Sequence, residues 1–106
     1  MRPELLKGNL DLLLLTILND GPAHGYAIIE ELRRRSENVF DLPEGTIYPA
    51  LHRMERSGVL ASQWTEGEGR RRRVYQLSGL GREVLGEKQA EWQAFTRSVR
   101  HVLEGA

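Results

Sequence analysis

The sequence predicts a mainly α fold with one small β-hairpin, in the order α-α-α-β-β-α. Three observations carry this prediction. Apolar residues recur at helical spacing in stretches that end before Gly58. Two β-patterned runs flank Gly67-Glu68-Gly69. A last apolar stripe follows Ser78 at intervals of three and four residues. With 106 residues the chain suffices for one compact unit with a modest core.

Asn9 can cap a first helix from Leu10 to about Asn19, which Gly21-Pro22 ends. Apolar side chains run nearly all round it, so more than one neighbour must cover it. A second helix runs from about His24 to Arg35, with Gly25, Ile28, Ile29 and Leu32 at helical spacing. Its end, Arg33-Arg34-Arg35, suits the negative pole of the helix. Residues 36–42 form a connector. A third helix starts near Pro43, where a missing N–H is harmless, and stops at Gly58. Ile47, Leu51 and Met54 share one of its faces, flanked by Ala50; Gly45, Pro49, His52, Arg53 and Arg56 share the other. Pro49 removes one backbone hydrogen bond, so either the helix kinks there or its regular part starts at about Thr46.

Leu60–Glu66 and Arg72–Leu77 read as two strands, joined through Gly67-Glu68-Gly69. This places Arg70, Arg71, Arg72 and Arg73 at the hairpin tip, with Trp64 as core beneath the hairpin. Ser78 caps a final helix that reaches about Leu103. Leu85, Lys88, Trp92, Phe95, Val99 and Val102 are spaced 3, 4, 3, 4, 3 along it, a seam of about two and a half heptads. A lone helix must bury such a stripe. The expectation is a dimer formed through Leu85, Trp92, Phe95, Val99 and Val102, with Lys88 snorkelling from the seam.

Charge totals balance at 15 basic and 15 acidic groups, unevenly spread. Residues 33–73 hold nine basic against six acidic groups, net +3, whereas residues 1–32 are net −3. No cysteine is present, so disulfides, thiolate metal sites and a cysteine nucleophile are excluded. His24, His52 and His101 lack metal-ligand spacing. Gly81 and Gly86 have phosphate-loop spacing, but Glu87 stands where that loop needs lysine. The expectation is no enzyme, no metal and no cofactor. The apolar run at Leu12–Leu15 is too short to span a bilayer, and the first residues lack a secretory pattern. A cytoplasmic chain without a membrane partner is expected.

Reading a major groove requires a helix with an apolar anchoring face and a polar face that bears arginine or amide groups. The 43–58 helix has that division. Gly45 permits close approach, and Thr46 can bond a phosphate. Tyr48 can donate to a phosphate or pack on a sugar, Pro49 can meet a thymine methyl, and Arg53 or His52 can reach a base edge. Four like charges in a tight turn repel, so Arg70–Arg73 implies an anionic partner: phosphates or a narrow minor groove. Taken singly, the helix could be an ordinary amphipathic one and the arginines a solvated loop that guards a sheet edge. Together they are the layout of a winged helix-turn-helix DNA binder. A winged helix that binds protein is the remaining class, and the arginine-rich hairpin argues against it.

With these residues in place, the chain closely resembles the PadR family of bacterial transcriptional regulators over roughly residues 10–82. The resemblance rests on His24-Gly25-Tyr26, on Gly45-Thr46-Ile47-Tyr48-Pro49-Ala50-Leu51-His52-Arg53-Met54-Glu55, on Gly69-Arg70-Arg71-Arg72-Arg73-Val74-Tyr75, and on Leu77-Ser78 to Gly81. Met54 stands where leucine is commoner, and Val74 where lysine is frequent. The resemblance adds Tyr26 to the DNA contacts. It divides the unit into a winged helix-turn-helix DNA-binding domain over residues 1–80 and a dimerisation helix over residues 81–106. The single helix after the hairpin matches the small subfamily. Also implied are a homodimer, repression at a palindromic operator in double-stranded DNA, and release by a small hydrophobic or aromatic effector. In some relatives a tryptophan of the last helix stacks on the effector. Leu12, Leu15, Trp92 and Phe95 are therefore the candidate lining of an effector pocket, unless Trp92 only fills the interface.

Overall fold

The computed structural model describes residues 3–105. Its elements are α1 (Pro3–Lys7), α2 (Leu10–Leu18), β1 (Ala23–His24), α3 (Gly25–Arg35), α4 (Glu44–Arg56), β2 (Leu60–Gly67), β3 (Arg70–Leu77) and α5 (Gly79–Leu103). The architecture is a winged helix-turn-helix, with α3 and α4 as the helical pair and the β2–β3 hairpin as the wing. No helix among the described residues is long and apolar enough to cross a membrane.

Two elements go beyond the expected order. α1 spans only five residues and β1 only two, too few for either periodicity to register. β1 pairs with β3 through Ala23–Tyr75 and His24–Val74, giving an antiparallel sheet of order β1-β3-β2. α1 also changes the role of Asn9. Its side chain caps nothing in α2. Its amide donates instead to the Leu5 carbonyl, 2.8 Å away, because the end of α1 brings that acceptor closest.

The wing corrects a second expectation. Pairing runs from Leu60–Leu77 out to Gly67–Arg70, leaving only Glu68-Gly69 as the turn. Both turn residues have positive φ (52° and 74°), as a two-residue hairpin turn with right-handed strand twist requires. Arg70–Arg73 therefore lie within β3 rather than in a tight turn. Strand alternation sends Arg71 and Arg73 to one face and Arg70 and Arg72 to the other, which separates the like charges.

The core joins all the longer elements. Leu14, Leu15, Ile28, Ile47, Leu51 and Tyr75 are fully buried. Burial of an aliphatic side chain of this size contributes about 1.5–3 kcal/mol. α4 turns Ile47, Ala50, Leu51 and Met54 inward, as its pattern requires. It starts at Glu44 with Pro43 as N-cap, so Pro49 lies inside the helix and leaves the Gly45 carbonyl without its usual donor.

Three apolar residues fall elsewhere than expected. Leu85 is only 4% exposed; it completes the core of its own chain and does not belong to an outward seam. It lies in the second turn of α5, where Gly81 brings the backbone against Val59 so closely that a Cβ would strike the Val59 carbonyl. Leu15 is fully buried and cannot line an open pocket. Trp64 is 53% exposed and is not core. Burial along its face of β2 falls from Leu60 through Ser62 to Trp64 and Glu66, because the hairpin projects past the helices.

Ser78 caps α5 as expected, its Oγ accepting from the Gly81 N–H at 3.0 Å. Beyond Leu85 the stripe is bare: Trp92 is 44% exposed and Phe95 62%, and Val99, Val102 and Leu103 are exposed as well.

Candidate nucleic-acid interface

α4 and the wing face one another across a cleft of about 500 Å³. His24, Gly25 and Tyr26 from the start of α3, Tyr48 and His52 from α4, and Trp64 with Arg70–Arg73 from the wing line it. The fold thus gathers Tyr26, Tyr48, His52 and the four arginines into one groove, although they lie up to 47 positions apart in the chain. Gly45, Thr46 and Pro49 stand at the N-terminal part of α4, with Gly45 and Pro49 exposed and Thr46 half-buried.

Each wall is fixed by identifiable contacts. Tyr48 packs over Gly25, where any side chain would collide with its ring. Its ring lies 6.2 Å from that of His52, tilted by 50°. Burial, then the nearby Glu44 carboxylate, holds the Tyr48 hydroxyl above its ordinary pKa. Tyr26 is exposed, and its hydroxyl is likewise raised by the Glu44 carboxylate it faces. Both phenols therefore remain protonated donors near neutral pH.

His24 ties α3 to the wing. Its Nδ1 accepts the Ala27 N–H at 3.3 Å, capping α3. Its Nε2 lies 3.0 Å from Arg72 Nη1. With Nδ1 accepting, the neutral ring carries its proton on Nε2 beside Arg72, and a second proton on Nδ1 would break the hydrogen bond from Ala27. Burial, then the Arg72 charge, lowers its pKa.

Glu55 ties α4 to the wing. It accepts from Ser62 Oγ and from Arg73 Nη2, the latter at 3.2 and 3.4 Å. The serine hydrogen bond and the arginine outweigh partial burial and hold its carboxyl below the ordinary value. On the same face of the hairpin, the guanidinium carbons of Arg71 and Arg73 lie 4.8 and 5.4 Å from the centre of the Trp64 ring.

Arg53 does not join the cleft. Its guanidinium forms a two-pronged pair with Asp11 of α2, Nη1–Oδ2 at 3.0 Å and Nη2–Oδ1 at 2.6 Å. Asp11, His24, Glu55 and Trp64 are the site-forming residues that sequence reasoning passed over. For His24 the signal was its place directly before Gly25-Tyr26, a cap position; for the others only the fold supplies the partner.

A basic cleft between a helix with an open glycine and an arginine-bearing wing suits a nucleic acid. Comparison with known sequences decides the family: residues 14–87 match the model of the transcriptional regulator PadR-like family. The chain belongs to the PadR-like family of transcriptional regulators. It is a DNA-binding regulator.

The PadR-like chain is 38% identical over 80 residues to Transcriptional regulator Rv3488 of Mycobacterium tuberculosis, covering 76% of this chain and 72% of that protein. The crystal structure of a PadR family transcriptional regulator from Eggerthella lenta superposes with a TM-score of 0.85 at 34% identity, over 97% of this chain and 88% of that one. One from Clostridium difficile gives 0.81 at 33% identity, over 90% and 98%. The PadR-like regulator also carries two adjoining hollows beside the bare part of α5. They measure about 450 and 390 Å³ and share Asn9, Leu12, Trp92 and Phe95. Lys88 and Glu91 rim the first; Leu5, Leu6, Leu13 and Phe40 line the second. Of the four expected lining residues, three meet there; Leu15 does not.

Proposed function

We propose that this PadR-like chain is a homodimeric, cytoplasmic repressor that binds a palindromic operator and leaves it when a small hydrophobic or aromatic effector binds. The α4–wing cleft carries the reading. α4 enters the major groove, with Gly45, Thr46, Tyr48, Pro49 and His52 toward the duplex. Tyr26 and Arg70–Arg73 engage the flanking backbone. Two such units about 34–36 Å apart read a two-fold site. The bare stripe of Trp92, Phe95, Val99 and Val102 is the pairing surface. Leu12, Trp92 and Phe95 receive the effector in the hollows beside it. Arg53 acts through Asp11 as a brace for α4 and not as a base reader.

One glycine gives independent support. A Cβ at Gly45 would meet nothing within 4 Å in this chain, so nothing inside the fold requires glycine at this first-turn position. Its lack of a side chain leaves the backbone of this turn free to approach a duplex closely, which is the role proposed for it.

The test is fluorescence anisotropy of the DNA upstream of the chain's own gene, at several salt concentrations, against a scrambled duplex. Contacts to about six phosphates per dimer predict a slope of log K against log[salt] near −5, with two chains per site. A flat salt response would remove the reading. Adding planar aromatic compounds to the preformed complex should release the duplex and perturb Trp92 emission; release without any change at Trp92 would place the effector elsewhere.

A further inference from the structure

Trp64 is a large aromatic residue left half in water on the wing, beside Arg71 and Arg73. It is neither core nor part of the bare α5 stripe, and the helices give it no cover. The residues around it are unusual. In the strand register Arg73 lies directly opposite Trp64, and Arg71 lies directly opposite Glu66. Among the described residues, however, Arg71 forms no ion pair with Glu66, its nearest cross-strand acid. Its guanidinium lies over the Trp64 ring instead, at 4.8 Å. Arg73 lies 5.4 Å from the same ring and is anchored behind by Glu55 of α4.

A guanidinium laid on an aromatic ring keeps its N–H groups pointing outward in its own plane. The ring therefore orders two cations without occupying their donors. The indole edge adds one more N–H, which finds no acceptor among the described residues. The patch thus offers two guanidinium groups, an indole N–H and an apolar surface, with the Glu66 carboxylate opposite Arg71 at its outer edge; its donors outnumber that acceptor. Base edges present donors as well as acceptors, whereas a sugar–phosphate backbone presents anionic acceptors alternating with apolar ribose faces. Trp64 also opens onto the cleft shared with Tyr48 and His52.

We propose that Trp64 is a DNA-contacting residue of the wing, which lies on the sugar–phosphate backbone and holds Arg71 and Arg73 in place to bind the adjacent phosphates. The proposal rests on the reading of the cleft as the DNA face.

The wild-type chain and Trp64→Phe are titrated with a dye-labelled duplex from the chain's own upstream region, while dye anisotropy, tryptophan emission and acrylamide quenching are followed. In the wild type, saturation with duplex should change the emission and reduce access of acrylamide. In Trp64→Phe, which leaves Trp92 as the reporter, that response should be absent at saturating duplex. Trp64→Ala should weaken operator and scrambled duplex alike by about tenfold, the loss of two cation–π placements, and should give a shallower salt slope at an unchanged melting temperature. Duplex binding with silent Trp64 emission overturns the proposal and leaves the cleft reading intact. So does a melting temperature that falls in Trp64→Ala while the wild-type emission stays unresponsive, since the ring would then only support the hairpin. No duplex binding by the wild type overturns both.

Discussion

Gly25 and Gly45 both sit in the first turn of a helix, and the structure asks opposite things of them. Gly25 makes room for the Tyr48 ring within the chain; Gly45 faces open space. Gly45→Ala should therefore raise thermal stability, by up to about 1 kcal/mol, while weakening duplex binding. Gly25→Ala should lower both, because Tyr48 must leave its seat. Melting curves and anisotropy on the same two proteins separate these outcomes, and a Gly45→Ala variant that binds DNA as well as wild type would remove the close-approach role. His24 yields a pH prediction. Its native pKa lies below the ordinary 6.5, so the unfolded chain takes up the proton first. The stabilisation it gives is complete above about pH 6.5 and is lost as pH falls from there toward the lowered native value. His24→Asn keeps a capping acceptor but cannot titrate. Its melting temperature should fall less than that of wild type between about pH 7.5 and 5.5; equal slopes would show that the ring carries no such linkage.

At the scale of elements, α4 is clamped at its C-terminal end, by Asp11 through Arg53 and by the wing through Glu55, while its N-terminal end stands open. Removing either member of the first clamp should show the same loss. Arg53→Ala, Asp11→Ala and the double variant should reveal a coupling of no more than about 1 kcal/mol, since the Arg53 side chain is 55% exposed and screened by solvent. Base preference in a panel of mutated operators should be unchanged by Arg53→Ala; relaxed preference at one base pair would return Arg53 to the groove. The legibility of these elements in the sequence follows their length and reach. α2, α3, α4 and α5 each repeat their pattern over several turns, so their existence and faces were readable. β1 has no room for a repeat. The Arg53–Asp11 pair spans 42 positions, and spacing along a chain holds no information about that closeness. Trp64 was misplaced for a different reason. Its face was readable from strand alternation, but how far the hairpin outruns its cover depends on the lengths of three other elements.

At the scale of the whole molecule, α5 leads a double life. Its first turns complete the core, and its remainder runs out as a bare stripe along a body 57 Å in its longest dimension. The heptad spacing made the stripe legible, but only packing could show that Leu85 faces inward while Trp92 and Val99 do not. Replacing Trp92 and Val99 together with Asp should leave the winged fold intact by circular dichroism and yield monomers in sedimentation. The same variant should lose the steep salt slope, since one unit contacts about half the phosphates. A dimer that survives both changes would place the pairing surface elsewhere.

If that bare stripe is the proposed pairing surface, copy number becomes a thermodynamic variable. When two chains meet along α5, the covered area is withdrawn from water in the folded state alone, so each chain acts as a stabilising ligand for the other. Dilution should then lower the melting point, and site occupancy should climb with the square of chain concentration wherever single chains predominate. If the chain is the dimeric repressor proposed above and acts near its own gene, the abundance at which synthesis stops is set by how much of one helix its own core leaves uncovered.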